Sequence, residues 1–144
     1  MLTIKVVAVG GLKEKYWQDA AGEYVKRLSR YCKLEIKEVP EGDIKREGSE
    51  IRKHARGHVI LCDIHGEMVT SEGLAGMISD LTQVTSTITF VIGGSEGVGA
   101  YLDDLADSRV SFGRITLPHQ LFRVILLEQI YRAATILRGE KYHK

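Results

Sequence analysis

The sequence predicts an α/β protein, with a mainly parallel sheet that carries helices on both faces. Short β-branched, apolar segments alternate along the chain with segments in which apolar residues recur every three or four positions. Such alternation of strands and helices is typical of βαβ units, which build parallel sheets. Most connections are short, and no repeat or polar linker divides the chain. We therefore expect a single domain that spans residues 1–144.

Five segments are predicted to be strands because they are short, apolar and rich in Val, Ile and Thr. Gly10 and Gly11 follow the first of them and Pro40 follows the second, and both residue types commonly end strands. The predicted strands are residues 3–9, 34–39, 59–63, 87–92 and about 110–112.

Three segments are predicted to be helices. Residues 13–31 carry apolar side chains at helical spacing, and Ser71 is placed to cap a second helix. The third and longest helix begins near Pro118, which suits a first helical turn, and Gly139 is placed to end it. Residues 41–57 are charged and interrupted by glycine, so they predict at most a short helix.

The longest predicted helix is apolar nearly all round, and such a helix must be covered on nearly every side. We expect one side to pack on the sheet of its own chain and the other on a second copy, which makes the protein a homodimer. The alternative is a core helix with other helices of the same chain on both sides. The apolar residues are Leu121, Phe122, Val124, Ile125, Leu126, Leu127, Ile130, Tyr131, Ala133, Ala134, Ile136 and Leu137.

Composition and charge restrict the classes of partner. The 144 residues are 44% hydrophobic, as expected for an ordinary domain with its own core. The net charge of +1 gives no general attraction to nucleic acid. From Arg114 onward, however, the chain has six positive residues against two negative ones. A local basic patch of this kind suits a partner that presents phosphates over a limited area.

Other classes are disfavoured by what the sequence lacks. Cys32 and Cys62 have no CxxC spacing, so they predict reduced structural cysteines rather than a disulfide framework or a metal site. The N-terminal segment does not have a basic-then-apolar leader pattern, and no apolar stretch approaches the length of a membrane span. We therefore expect a cytoplasmic protein without membrane contacts and without a metal.

A glycine-rich loop, residues 93–99, directly follows the fourth predicted strand. It does not fit the G-x-G-x-x-G fingerprint, and no lysine follows at the spacing of a phosphate-binding loop. Glu96 would also oppose a pyrophosphate bound to the backbone N–H groups of this loop. The loop is better suited to a ligand without phosphate that approaches bare backbone, although glycines after a strand are as often a tight turn.

Three C-terminal segments, FVIGGSEGVGAYL, SFGRITLPHQLFRVILLEQIYRA and RGEKYHK, resemble the ribosomal RNA large-subunit methyltransferase H family. This family belongs to the SPOUT class of S-adenosylmethionine-dependent enzymes. The N-terminal VAVGGLK and the central LCDIHGEMVTSEGLA are also similar to it, so the resemblance covers nearly the whole chain. Residues 41–57 depart from the family because this segment is shorter than usual there.

The resemblance implies more than the residue patterns do. The C-terminal part of the family fold is threaded as a deep trefoil knot, which is an exception to the rule that chains avoid threading. Family members are homodimers that methylate N3 of a pseudouridine in 23S ribosomal RNA on the assembled ribosome. Three loops hold S-adenosylmethionine in the family, and by motif position they contain Leu61, Cys62, Gly94, Gly113, Arg114, Ile115, Thr116, Leu117 and Pro118.

Within these loops, each residue type suggests a role. Gly94 and Gly113 would be glycine because a side chain there would collide with the ligand. Leu61, Ile115 and Leu117 could sandwich the adenine, or they could cap the core at the strand ends.

The acceptor is an imide nitrogen that must lose its proton before it attacks the methyl carbon, and a histidine can accept a proton near neutral pH. We favour His143 as this base, with Tyr142 stacking on the nucleotide, and His119 is the other candidate. The positive residues expected to contact phosphates or the carboxylate of the cofactor are Arg114, Arg123, Arg132, Lys141 and Lys144. For Arg123 and Arg132, burial at the dimer contact is the alternative.

Two other functions compete with methyl transfer. The first is a non-catalytic ribosome- or RNA-binding adaptor that uses the basic C-terminal face. The second is a nucleotide-dependent oxidoreductase, which the missing dinucleotide fingerprint disfavours.

Overall fold

The computed structural model describes residues 1–95, 97 and 99–144. Its strands are β1 (Thr3–Val9), β2 (Lys33–Val39), β3 (His58–Met68), β4 (Thr87–Ile92) and β5 (Ser108–Ser111). Its helices are α1 (Lys15–Leu28), α2 (Ile44–His54), α3 (Ser71–Leu81) and α4 (His119–Leu137), with a 3₁₀ turn at Gly99–Leu102. The prediction for Glu96 lies outside the described residues.

The five strands form one sheet in the order β2-β1-β4-β3-β5, and every neighbouring pair is parallel. All carboxyl ends therefore lie at the same edge, which is where open α/β sheets bind ligands. Between Cys62 and Glu67 the pairing of β3 with β5 shifts, so that both residues face Val110. Residues 63–66 bulge from the sheet at this edge.

Helices cover both faces of the sheet, which confirms the predicted architecture. Side chains alternate between the faces along a strand. In β1, Val6 points to a core that it shares with α1, α3 and α4, whereas Val7 points to a second core shared with α2 and the 3₁₀ turn. The first core is the larger, so α4 lies on the more thickly covered face.

Local chemistry explains the helix ends. The Thr70 hydroxyl accepts the N–H of Gly73 at 2.9 Å and caps α3. The prediction that Ser71 is this cap was wrong by one residue, since Ser71 begins the helix and donates its hydroxyl to Gln129 of α4. Gly139 ends α4 as predicted, with a left-handed φ of 68° and its N–H bonded to a carbonyl of the last turn.

The flanks of α4 are covered within the chain, because α1 packs on one side and α3 on the other. To this extent the alternative, a core helix flanked by helices of its own chain, describes the structure. Leu121 and Ile125, one turn apart, are partly exposed and lie outside the main core. The homodimer stays a prediction. In this structure, Leu121 and Ile125 are the apolar residues of α4 that would contact a second copy, which is a narrower surface than the sequence suggested.

Segment 41–57 is more regular than the sequence suggested. α2 has 11 residues, and the Asp43 side chain caps it by accepting the N–H of Arg46 at 2.9 Å. In the described part of the chain, no helix is both long and apolar enough to cross a membrane.

Candidate active site

The structure brings the three predicted cofactor loops together at the carboxyl edge of the sheet. β3 lies between β4 and β5, so the loops that follow these strands are neighbours. Cys62 ends the first paired section of β3, Gly94 follows β4, and Gly113 follows β5. The side chain of Arg114 donates to the carbonyl of Ile64 and joins the third loop to the bulge of β3.

Gly94 is required by the packing of the protein itself. A Cβ atom at this position would lie 2.9 Å from Glu47 Oε1 and 3.2 Å from Val9 Cγ1. Glu47 is only 6% exposed and accepts the N–H of Gly42 at 2.9 Å, so it cannot easily move aside. From the sequence we expect a side chain at position 94 to collide with a ligand. In the structure, it would first collide with the buried Glu47.

Gly113 is required by its backbone conformation. Its φ of 140° lies where side chains are rarely tolerated, and a Cβ atom there would meet nothing within 4 Å. The Ser111 hydroxyl donates to the Gly113 carbonyl at 2.8 Å and accepts its N–H at 3.1 Å, which holds the turn. The third loop is therefore rigid at its start and leaves an open space beside bare backbone.

The apolar residues of the loops have different roles. The side chain of Leu61 is fully buried in the core beside α2, so it caps the core. Ile115, by contrast, is 75% exposed, and Leu117 is partly exposed. Of the two roles open for these residues, contact with an adenine fits Ile115, and core packing fits Leu61.

The thiol of Cys62 is poorly suited to act as a nucleophile at this edge. Burial raises the pKa of the Cys62 thiol to about 12, so the sulfur stays protonated at neutral pH. Among the residues that the structure describes, His, Cys, Asp and Glu side chains do not form a cluster suited to a metal ion.

A cavity of about 230 Å³ adjoins the cofactor loops on the side of β1. Gly94, Ser95 and Pro118 line it together with His119 at the start of α4. The Nε2 atom of His119 is buried and has no hydrogen-bond partner in the described part of the chain. Trp17 also lines this cavity. Trp17 is not among the site residues predicted from the sequence, although a lone tryptophan shortly after the Gly10-Gly11 turn was a usable signal.

The C-terminal tail is folded back onto α4. The Tyr142 hydroxyl donates to Glu128 at 2.8 Å, and the Arg132 guanidinium lies 4.8 Å from the centre of the Tyr142 ring. Burial and the bond to Glu128 raise the pKa of Tyr142, so the phenol stays protonated and is not a base at neutral pH. His143 contacts Arg132 through Nδ1 at 3.0 Å and Glu72 through Nε2.

These contacts define the state of His143. Arginine can only donate, so Nδ1 accepts from Arg132 and Nε2 donates its proton to Glu72. Both ring nitrogens of His143 are therefore engaged in hydrogen bonds while the tail is docked in this way.

The candidate catalytic residues are not brought together within one chain. His119 begins α4, whereas Glu128 and Arg132, which hold the tail, follow nine and thirteen residues later. At 1.5 Å per residue, the docked tail is roughly 14 to 20 Å from His119 along the helix. Tyr142 and His143 can act beside His119 only if the tail moves or comes from another chain.

The predicted phosphate-binding residues fall into two groups. Arg114, Lys141 and Lys144 are exposed, and Arg132 is partly exposed while paired with Glu128. Arg123 is only 2% exposed and donates to Glu38 and, at 2.7 Å, to the Gly10 carbonyl. The RNA-binding role of Arg123 stays a prediction, and in this structure its buried guanidinium joins α4 to the ends of β1 and β2.

Replacement of Arg123 should separate these roles. We expect Arg123→Met to lower the free energy of unfolding by about 2 kcal/mol, because two charge-assisted hydrogen bonds are lost. The salt dependence of binding to the rRNA that the resemblance implies as substrate should not change. Lys141→Ala is the control and should leave stability intact while reducing the slope of log affinity against log salt by about one. Urea titrations measure the free energy of unfolding, and filter binding measures the salt dependence of affinity. A reduced slope for Arg123→Met would show that Arg123 does contact RNA.

A parallel sheet with three neighbouring loops at its carboxyl edge defines the class of open α/β proteins, which bind small ligands outside that edge. A family model described as "Predicted SPOUT methyltransferase" matches residues 2–143. The chain belongs to the SPOUT methyltransferases and, within them, to the ribosomal RNA large subunit methyltransferase H family. SPOUT methyltransferases use S-adenosylmethionine, and membership of the family implies the threaded C-terminal part of the fold.

Relatives match over the full length of the chain. The ribosomal RNA large subunit methyltransferase H of Oenococcus oeni is 46% identical over 160 residues and covers 100% of both chains. That of Bifidobacterium adolescentis is 48% identical over 159 residues, with 99% of this chain and 100% of the relative covered. A solved structure, the SpoU methyltransferase AviRb from Streptomyces viridochromogenes with AdoMet, shares 14% identity at a TM-score of 0.49, covering 95% of this chain and 58% of that one.

Proposed function

We propose that the protein methylates N3 of a pseudouridine in 23S ribosomal RNA, on the assembled ribosome in the cytoplasm, with S-adenosylmethionine as the methyl donor. The observation that supports this most directly is the open space beside Gly113 and Ile115, at the carboxyl edge of the sheet. It occurs in a chain whose full-length relatives are named ribosomal RNA large subunit methyltransferases.

The residues at the edge fit this donor. Gly113 leaves bare backbone for close approach, and the exposed Ile115 offers an apolar surface to an adenine. The main chain of 61–62, 94 and 113–118 would supply the amides and carbonyls that hold it. When bound, S-adenosylmethionine supplies an already activated methyl group on a sulfonium, so the task of the protein is to position the acceptor.

The acceptor nitrogen lies between two carbonyl groups of the base and must lose its proton as the new bond to the methyl carbon forms. In the docked conformation both ring nitrogens of His143 are hydrogen-bonded, whereas the Nε2 atom of His119 is buried and has no hydrogen-bond partner among the described residues. We propose that the tail reaches the acceptor only after it leaves Glu72 and Glu128, and that it serves the site of a second subunit. Sedimentation equilibrium tests the dimer, and a strictly monomeric active enzyme would contradict this arrangement.

The experiment that tests the function combines binding with catalysis. Calorimetry should detect stoichiometric binding of S-adenosylmethionine and no binding of NADH. Ribosomes from a strain that lacks the protein should gain one methyl group on the pseudouridine, detected by mass spectrometry. A non-catalytic adaptor would bind ribosomes without the methyl donor, and an oxidoreductase would bind NADH.

Naked RNA should be a poor substrate. With a net charge of only +1, one small protein attracts free RNA weakly, and the ribosome would supply the rest of the binding surface. We expect methyl transfer to an isolated stem-loop to be at least about 100-fold slower than transfer to ribosomes at the same salt concentration. Comparable rates on the two substrates would show that the stem-loop alone is recognised.

A further inference from the structure

The cavity that Trp17 lines lies beside the cofactor loops without being part of them. In the sheet, the cofactor loops follow β4, β3 and β5, whereas the cavity lies over the ends of β1 and β4. Two residues belong both to the cofactor loops and to the lining of the cavity. Gly94 lies in the loop after β4, and Pro118 lies at the end of the loop after β5. A ligand in this cavity would therefore share a wall with a methyl donor held by the three loops.

The size of the cavity favours a small occupant. Pockets for drug-sized ligands are about 300 to 1,000 Å³. The volume of about 230 Å³ is adequate for a single planar ring, and because the cavity is open to solvent the rest of a nucleotide can extend out of it.

The polar lining favours a neutral ring over a phosphate. Glu14 and Glu41 line the cavity against the one positive side chain of Lys13. Two carboxylates repel a phosphate, but they accept hydrogen bonds from ring N–H groups. The ring of His119 also lines the cavity on the α4 side, although its Nε2 atom is itself buried and has no hydrogen-bond partner among the described residues.

Trp17 supplies an aromatic surface, and its position is well defined. The loop before α1 is fastened to α4 because the Lys13 N–H donates to Gln120 Oε1 at 2.8 Å. It is also fastened to α1, since Gln18 Nε2 donates to the Leu12 carbonyl at 2.8 Å. Tyr16 stands edge-on to Trp17 with ring centres 5.0 Å apart, and it is exposed and does not line the cavity.

We propose that this cavity is the acceptor pocket, in which Trp17 stacks on a uracil-type base that has left its RNA stack and whose ring N–H groups donate to the carboxylates of Glu14 and Glu41. The proposal rests on the proposed function and names the part of the site that recognises the acceptor. Enzymes that modify bases inside folded RNA take the base out of its stack, and aromatic side chains replace the lost stacking. The phosphates of the nucleotide stay outside, away from the two carboxylates.

Trp17 is the only tryptophan of the chain, so tryptophan fluorescence reports on this cavity alone. The protein is first saturated with S-adenosylhomocysteine, and the nucleoside pseudouridine is then titrated in. We expect quenching by pseudouridine in the saturated protein, and the same quenching in Tyr16→Ala. If pseudouridine leaves the fluorescence unchanged, or if S-adenosylhomocysteine prevents its effect by competition, the cavity is not a separate acceptor pocket.

Kinetics on ribosomes provide the second readout. Trp17→Ala should slow methyl transfer roughly 5- to 150-fold, the effect of one lost base–aromatic stack, with an unchanged affinity for S-adenosylmethionine by calorimetry. Trp17→Phe should retain most of the rate, and Tyr16→Ala should match the wild type. A wild-type rate in Trp17→Ala, or an equal loss of donor affinity, would overturn the proposal. If the wild-type protein transfers no methyl group to ribosomes, it is the proposed function that fails.

Discussion

Deletion of Tyr142 to Lys144 is expected to abolish methyl transfer to ribosomes while leaving the affinity for S-adenosylmethionine nearly unchanged. The tail carries the favoured base, His143, and an aromatic residue able to stack on the nucleotide, but it does not contribute to the three cofactor loops. We expect the rate to fall at least about 1,000-fold, since general base catalysis and stacking are lost together. Single-turnover methylation measures the rate, and calorimetry measures donor binding.

The control for this deletion is a change that disturbs docking of the tail but keeps its chemistry. Tyr142→Phe removes the hydrogen bond to Glu128 and keeps the ring that Arg132 covers. It should lower stability by about 1 kcal/mol and leave a large part of the rate. Undiminished turnover in the deletion variant would assign the proton transfer to His119 or to water.

The largest effect on stability is expected at Gly57, immediately before β3. Gly57 has a φ of 63°, and a Cβ atom there would lie 2.0 Å from the Thr87 carbonyl oxygen and 2.7 Å from its carbon. Those are backbone atoms at the start of β4, in the middle of the sheet, so they cannot rotate away. We expect Gly57→Ala to cost roughly 4 kcal/mol or more, a large share of the stability of a small domain.

Gly139→Ala is the matched control, because Gly139 has a similar φ of 68° but a Cβ atom there would meet nothing within 4 Å. It should cost about 1 kcal/mol, the penalty for a left-handed residue without a collision. Urea unfolding followed by circular dichroism compares the two variants. Equal losses would show that backbone conformation alone, and not the contact with Thr87, makes glycine necessary at position 57.

The predicted elements that proved accurate are those with strong local patterns. β1 and β4 have the predicted bounds because unbroken β-branched segments are flanked by glycine or polar turns. The end of β3 could not be predicted, since residues 67 and 68 rejoin the sheet only by pairing with β5 after the bulge. The position of the cofactor loops followed from the motifs, and the sheet order then placed them side by side.

In the candidate site, too, local patterns were predicted correctly and contacts between distant segments were not. Periodicity identified α4 as an over-apolar helix, but it could not say that α1 and α3 cover its flanks, because that depends on which face of the sheet each helix joins. Its charge alone led to the prediction that Arg123 binds phosphate, whereas in the structure Arg123 is buried beside Glu38. Trp17 was missed because the loop after β1 and the start of α4 lie about a hundred residues apart in the chain.

By itself, the sequence determined the α/β class, the strand and helix segments, the family and the residue types able to hold a methyl donor, since each depends on local patterns or an ordered motif. Only the tertiary structure decided which residues meet. It placed Trp17 and His119 around one cavity, buried Arg123, and docked Tyr142 and His143 far along α4. The reason is physical: side-chain exposure and contact depend on how distant segments pack, and no local spacing records that.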